Sequence, residues 1–168
     1  MHSNGITASG DNPGIMLTHH VRAASLADVE MLVQHRIAMF TDMGTSLDVP
    51  TVSRAFREWL VASMGSGVYR AWVVEVDARI VAGGGITLIP WPPGPWWPGE
   101  RVAYVYNVYT ERTHRRRGLA RAVMDAIHAW CRAEGIAAVA LNASLEARPL
   151  YESMGYAETP RPMMWKLT

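Results

Sequence analysis

Residues 104–120, YVYNVYTERTHRRRGLA, carry a Val- and Tyr-rich strand directly into a basic turn with one glycine and out into a helix. No other stretch constrains the chain so tightly. Ala120, Val123, Met124, Ile127, Trp130 and Cys131 recur at three- and four-residue steps. That spacing predicts a helix over 117–134 with one apolar face, stopped by Gly135. The first amides of a helix lack carbonyl partners and sit at the positive end of its dipole, which suits a polyanion. Gly118 lets the backbone approach an anion with no Cβ in the way. Arg115, Arg116 and Arg117 add positive charge at the same place, although three arginines in a turn can equally be a solvated basic surface. Neither the G-x-x-x-x-G-K-[ST] of a P-loop nor the G-x-G-x-x-G of a dinucleotide fold is present.

Around this unit the pattern alternates strands and helices. Residues 17–23 have strand-like content. Ser25, with Asp28 three residues on, caps an apolar-periodic helix that Gly44 ends. A second helix is predicted over 52–64, with Ala55, Phe56, Trp59 and Leu60 on one side. Strands over 69–76 and 79–88 form a hairpin across Asp77-Ala78, and Gly83-Gly84-Gly85 within it signals a bulge or a close backbone approach. A strand over 101–109 precedes the basic turn. After the long helix come a buried-type strand over 136–141, a short helix over 146–154 closed by Gly155, and a last strand over 163–167. The order β-α-α-β-β-β-α-β-α-β is a mixed α/β fold of α+β layers. Residues 1–15 are polar and aperiodic, so they are expected to form a disordered tail, with 16–168 as one domain and Met16 as a candidate alternative start.

A chain of 168 residues can bury one substantial core. Its single cysteine excludes an internal disulfide framework, and Cys131 falls on the apolar helix face, where it reads as core. A formal net charge of +1 gives no support for wrapping nucleic acid or an anionic membrane. No run approaches the roughly 20 apolar residues of a bilayer span, and the first residues do not resemble a secretory signal, so a cytoplasmic location is expected. Fifteen of the 16 basic side chains are arginine, Lys166 being the exception. Coding bias is one explanation. Planar recognition of phosphate is another.

Arg115-x-x-Gly118-x-Ala120 matches the R/Q-x-x-G-x-G/A signature of the GCN5-related N-acetyltransferase (GNAT) superfamily, with a strand before it and a helix after it. Ser144-Leu-Glu-Ala147-Arg-Pro-Leu-Tyr151-Glu-Ser-Met-Gly155-Tyr156 is similar to the family's N-x-x-A-x-x-x-Y-x-x-x-G-F pattern, with Ser144 in place of Asn and Tyr156 in place of Phe. The chain therefore resembles this family, in motif detail over about 104–156 and in element order over nearly its whole length. The resemblance implies a mixed, mostly antiparallel sheet flanked by helices, with a bulged strand splayed from its neighbour to receive acetyl-CoA. Backbone amides of Arg116, Arg117, Gly118, Leu119 and Ala120 would bind the pyrophosphate, with Arg115 at the motif's first position. On the strand, the segment Val108, Tyr109 and Thr110 would line the cofactor, Val108 N–H facing the thioester carbonyl and Thr110 bonding the pantetheine amides. Ser144 would replace some of the usual Asn contacts. Tyr151 matches the tyrosine that protonates the departing thiolate. No metal is implied.

The implied reaction is direct acyl transfer to a primary amine of a small molecule or peptide, with Val108 N–H as oxyanion donor and Tyr151 as general acid. An amine arrives mostly as ammonium, so a base is needed. Some relatives carry a Glu at the position of Tyr104, where this chain has none. Glu111, Asp42, His35 and Glu75 are the candidates, with His114 and His128 read as solvated, and His19-His20 as pointing to opposite faces of a strand. Arg36, Phe40 and Asp42 end the first helix, where family members shape the acceptor site. The Pro90–Pro98 segment, with three tryptophans, could line the acceptor pocket, seal a homodimer or cover a sheet edge. A non-catalytic acyl-CoA sensor and a nucleic-acid-binding domain are the competing functions.

Overall fold

Alternation decides the middle of the molecule. Along residues 69–76, Tyr69, Ala71 and Val73 pack toward one face, Trp72, Val74 and Val76 toward the other, and all six are buried. A strand buried on both sides needs a layer on each. The computed structural model describes residues 18–95 and 99–158. It places β1 (His19–Ala23), β2 (Tyr69–Val76), β3 (Arg79–Pro90), β4 (Arg101–Thr110) and β5 (Val139–Leu141) side by side in that order. β1 to β4 pair antiparallel. β5 joins β4 in parallel, because a crossover helix separates them.

One face is covered by α1 (Val29–Asp42) and α2 (Val49–Gly65), whose Leu32, Val33, Phe56 and Leu60 pack on Tyr69, Ala71 and Val73. The other is covered by α3 (Leu119–Ala133), whose Val123, Met124, Ile127 and Cys131 pack on Trp72, Val74, Ile86 and Val105. Tyr151 from α4 (Arg148–Ser153) joins that cluster. This is the mixed, mostly antiparallel sheet between helices that the sequence implies.

Several boundaries differ from the expected ones. Ser25 does cap, accepting the Ala27 N–H at 3.3 Å while Asp28 accepts the Ser25 N–H at 2.7 Å, but the capped turn is a 3-10 turn, Leu26–Asp28, ahead of α1. Trp59, expected on the buried side of α2, is 40% exposed. The strand expected over 136–141 contracts to β5. β3 runs on to Pro90, and the helix over 146–154 contracts to α4. The long helix begins at Leu119, not Arg117, because Gly118 is left-handed at φ 79°. The tail, Met16, the tryptophans at 96 and 97, and the strand over 163–167 lie outside the described residues.

The three-glycine run is a close-approach site. A Cβ on Gly83 would lie 3.1 Å from the Trp72 carbonyl oxygen, and one on Gly84 3.0 Å from Val108 Cγ2. One on Gly85 would lie 2.4 Å from the Tyr69 ring carbon Cζ. Asp77 and Ala78, at φ 50° and 59°, turn β2 into β3 with the left-handed geometry that matches strand twist.

Candidate active site

β4 leaves its neighbour partway along. Its pairing with β5 covers Ala103, Tyr104 and Val105 and then stops, while β4 continues to Thr110. Opposite, the register with β3 passes from Gly85↔Tyr106 to Gly83↔Tyr109, so Gly84 alone faces both Asn107 and Val108. That is a β-bulge, and Asn107 takes its left-handed residue at φ 58°. Among the described residues, Tyr106 to Thr110 therefore carry a partner strand on one side only. The main chain of this stretch opens onto a gap between β4 and β5.

The gap leads to the turn before α3. Arg116, at φ 64°, and Gly118, at φ 79°, are both left-handed, and left-handed residues in a turn are the backbone pattern from which anion-binding nests are built. No side chain caps α3, and its first intrahelical bond is donated by Ala122 to the Gly118 carbonyl at 3.0 Å. A Cβ on Gly118 would meet nothing within 4 Å, so the space over the turn is open. Leu119 points into the core, and Ala120 is half-buried, so these residues offer amides alone. Nearby, Thr110 Oγ1 is buried without a hydrogen-bond partner.

Arg116 and Arg117 are exposed and make no ion pair among the described residues. Arg115 behaves differently. Its Nε donates to the Thr110 carbonyl at 3.1 Å, its Nη2 pairs with Asp42, and its guanidinium stands 5.6 Å over the Tyr109 ring. The side chain turns back to α1, where Arg115 shares the one Asp42 carboxylate with Arg112. Of the three arginines in the turn, two are thus without an ion pair among the described residues.

The same pairing removes one base candidate. Asp42 accepts from Arg112 Nε at 2.8 Å, from Arg115, and from the Tyr109 hydroxyl at 3.1 Å, and Arg112 foremost holds its carboxyl below the usual range. Glu75 is removed as well. It lies beside β1, where it accepts from Arg22 Nε at 2.8 Å, and Arg22 also binds both Asp28 oxygens at 2.9 Å. His35 and Glu111 remain, with Nε2 to Oε1 at 3.8 Å, too long for a hydrogen bond. Both His35 ring nitrogens are buried without a hydrogen-bond partner, and the ring sits 5.3 Å from Tyr109. The expectation of solvated histidines also fails. His114 is largely covered, 3.7 Å from Glu111, and His128 Nε2 lies 2.7 Å from the Tyr156 hydroxyl.

Burial holds the His35 imidazole below the ordinary histidine value, against an opposing pull from Glu111, and burial does the same to His128. The folded chain therefore refuses protons that the unfolded chain accepts as pH falls below about 6.5. The expected unfolding free energy is level above pH 7.5 and declines toward pH 5.5, by at most about 1.4 kcal/mol per histidine, and the melting temperature falls with it. His35→Gln should shrink that decline in a pH series of thermal melts. An unchanged decline would show that His35 titrates normally.

Tyr151 is buried, with its ring 5.7 Å from Tyr156. Burial raises its pKa, so the hydroxyl keeps its proton at neutral pH. It lines a cavity of about 840 Å³ between β5, the end of α3 and α4, together with Leu141, Asn142 and Glu158. Val139, Ala140 and Leu141 of β5, the strand from which β4 parts, line the same cavity. Ser144 is exposed, and its Oγ accepts the Ala147 N–H at 3.3 Å, which turns the chain into α4. Cys131 is core, its thiol pushed up to about 11 by burial. The connection over 91–100, closed by Trp91 N–H to the Glu100 carbonyl at 2.8 Å, joins β3 to β4 at the Arg101 end. Strand rise puts that end about 20 Å from Val108.

Sequence reasoning missed Asn107, Tyr69 and the destination of Arg36. Asn107 Nδ2 donates to the Tyr69 hydroxyl at 3.2 Å, and its Oδ1 accepts from Arg36 Nη1. One signal was present: an Asn amid Val and Tyr is the residue in that strand best able to take positive φ.

A bulged strand that parts from its neighbour and leads to an open turn at a helix start is the feature that sets this sheet apart. A family model described as the Acetyltransferase (GNAT) family matches residues 30–156, and the chain belongs to this family. Its fold is similar to that of a GCN5-related N-acetyltransferase from Ralstonia eutropha JMP134, 33% identical with a TM-score of 0.80 over 90% of this chain and 99% of that one. It is also similar to a predicted acetyltransferase from Clostridium acetobutylicum, solved with acetyl-CoA, at 24% identity and a TM-score of 0.81 over 89% of this chain and 96% of that one. The aminoglycoside N(6')-acetyltransferase type 1 of Serratia marcescens is 29% identical over 70 residues, 40% of this chain and 48% of that protein. The chain spans about half the length of the curated relatives it matches. Among the described residues no three His, Cys, Asp or Glu side chains are grouped to hold a metal ion, and no helix is long and apolar enough to cross a membrane.

Proposed function

We propose that this chain is an acetyl-CoA-dependent N-acetyltransferase that passes the acyl group directly from the thioester to a primary amine. The observation that carries this reading is the course of β4: released from β5 after Val105, bulged at Asn107–Val108, and leading to the open turn at Gly118. A pantetheine arm would add to the free edge of β4 as an extra strand, and the orphaned Thr110 hydroxyl is a group such an arm would satisfy. The amides of 116–120 would hold the pyrophosphate, with Arg116 and Arg117 adding charge and Arg115 fixing the turn through Asp42. The acetyl thioester supplies the electrophilic carbonyl. Val108 N–H would donate to the carbonyl oxygen as negative charge develops there.

Tyr151 is the proposed acid, since burial keeps its hydroxyl protonated for transfer to the leaving thiolate. His35 beside Glu111 is the proposed route for the proton released by the amine. The ring packs against Tyr109, and a neutral imidazole has a lone pair with which to accept. Thiol release from acetyl-CoA across an amine panel tests the activity. Tyr151→Phe should lower kcat about a hundredfold with acetyl-CoA affinity nearly unchanged. Equal loss of turnover and affinity would make Tyr151 a packing residue. Thioester binding with no thiol release from any amine would indicate a sensor in place of an enzyme.

A further inference from the structure

On the α1/α2 face of the bulge, Arg36 stands out by what it lacks. It is half-buried, its guanidinium lies 4.5 Å from the Phe56 ring centroid and 4.9 Å from that of Phe40, and its one hydrogen bond goes to neutral Asn107. Among the described residues it makes no ion pair. Arginines on neighbouring elements are more exposed and yet are matched: Arg57 with Glu30, Arg112 and Arg115 with Asp42. Burial without an anion is unfavourable enough to lower the Arg36 pKa, and two aromatic faces compensate a desolvated guanidinium only in part. Of its five N–H donors one is engaged, which leaves a planar fork free to take a carboxylate.

Its place gives the absent anion a meaning. Asn107 and Val108 are the doubled residues of the bulge. Val108 packs toward α3, against Gly84, whereas Asn107 turns to α1 and Tyr69. The guanidinium is thus anchored one residue from the amide proposed to face the reacting carbonyl, on the sheet face away from α3. Ala103 and Val105 belong to the α3-side core, so Tyr104 and Tyr106 project to this same face, their rings 4.9 Å apart and Tyr106 37% exposed. Trp59, stacked on Phe56 and 5.0 Å from Tyr69, adds a further exposed aromatic surface on this side.

We infer that the acceptor is a small amine that also carries a carboxylate, of the amino-acid class, and that Arg36 binds that carboxylate while aromatic rings line its apolar body. One cation matches one carboxylate charge, whereas a phosphate monoester carries about 1.5 to 2 negative charges and calls for more than a single arginine. A polycationic acceptor would meet an uncompensated guanidinium. The inference rests on the proposed acetyl transfer.

The test is thiol release from acetyl-CoA with matched acceptors: leucine, methionine and phenylalanine, their carboxamides, their decarboxylated amines, and phosphoethanolamine. The carboxylate arm should exceed the carboxamide arm about ten- to hundredfold in kcat/KM. Arg36→Gln should raise KM for the carboxylate arm at least about tenfold more than for the carboxamide arm, and Arg36→Lys should keep part of the preference. Equal use of acids and carboxamides by the native chain overturns the inference, as does an equal effect of Arg36→Gln on both arms. Faster use of phosphoethanolamine overturns the carboxylate assignment. Turnover of none of these amines by a chain that binds acetyl-CoA overturns the inference alone, whereas failure to bind acetyl-CoA overturns the reading beneath it.

Discussion

Gly118→Val is expected to weaken acetyl-CoA binding at least a hundredfold, about 2.7 kcal/mol, in a chain that still folds. Two effects add. Gly118 holds φ 79°, a conformation that disfavours a β-branched residue by about 1–2 kcal/mol, so the turn it forms with Arg116 would rearrange. The new side chain would also project into the open space over the turn, where no atom beyond its chain neighbours lies within 4 Å of a Cβ and a phosphate would approach. Because nothing there is crowded, circular dichroism should stay native. Calorimetric titration reads the affinity, with Gly118→Ala expected between the two extremes. Binding by Gly118→Val within a fewfold of the native value would place the pyrophosphate elsewhere.

Gly85→Ala is expected to destabilise the fold by about 3 kcal/mol or more, through a different cause. Its Cβ would lie 2.4 Å from both Cζ and the hydroxyl oxygen of Tyr69, and 2.5 Å from the Arg70 carbonyl oxygen. The carbonyl belongs to the β2 ladder and cannot swing away, and Tyr69 is wedged in the α1/α2 core. Moving Tyr69 would release Asn107 and with it the bulge that shapes the proposed site. Urea unfolding of this variant beside Gly65→Ala, where a Cβ meets nothing within 4 Å, separates crowding from a general effect of losing glycine. A loss under 1 kcal/mol would mean that β2 and β3 yield more readily than their packing indicates.

Local chemistry made part of this legible beforehand. The strand, the turn and the long helix could be read because apolar spacing, Gly118 and the flanking arginines all act within a few residues. The same proximity makes Ser25 with Asp28 legible as a cap, and the glycine run as a bulge or a close approach. What stayed hidden depends on residues far apart in sequence. Asp42 and Arg115 are 73 positions apart, so nothing local showed that the first arginine of the motif was already engaged. Arg36 and Asn107 are separated by 71, and their bond exists only because α1 crosses the face of β4 at the bulge. His35 was visible as a titratable residue, but its isolation beside Glu111 is a property of packing.

The melting temperature of the native chain with and without acetyl-CoA tests whether the β4–α3 gap is a coenzyme A site. A ligand at a hundred times its Kd adds about 2.7 kcal/mol to the folded state, which in a domain of this size raises the melting temperature by about 5–10 °C. That rise, reduced or absent in Gly118→Val, is the predicted result. A melting curve unmoved by millimolar acetyl-CoA would contradict the assignment of the β4–α3 gap as a coenzyme A site.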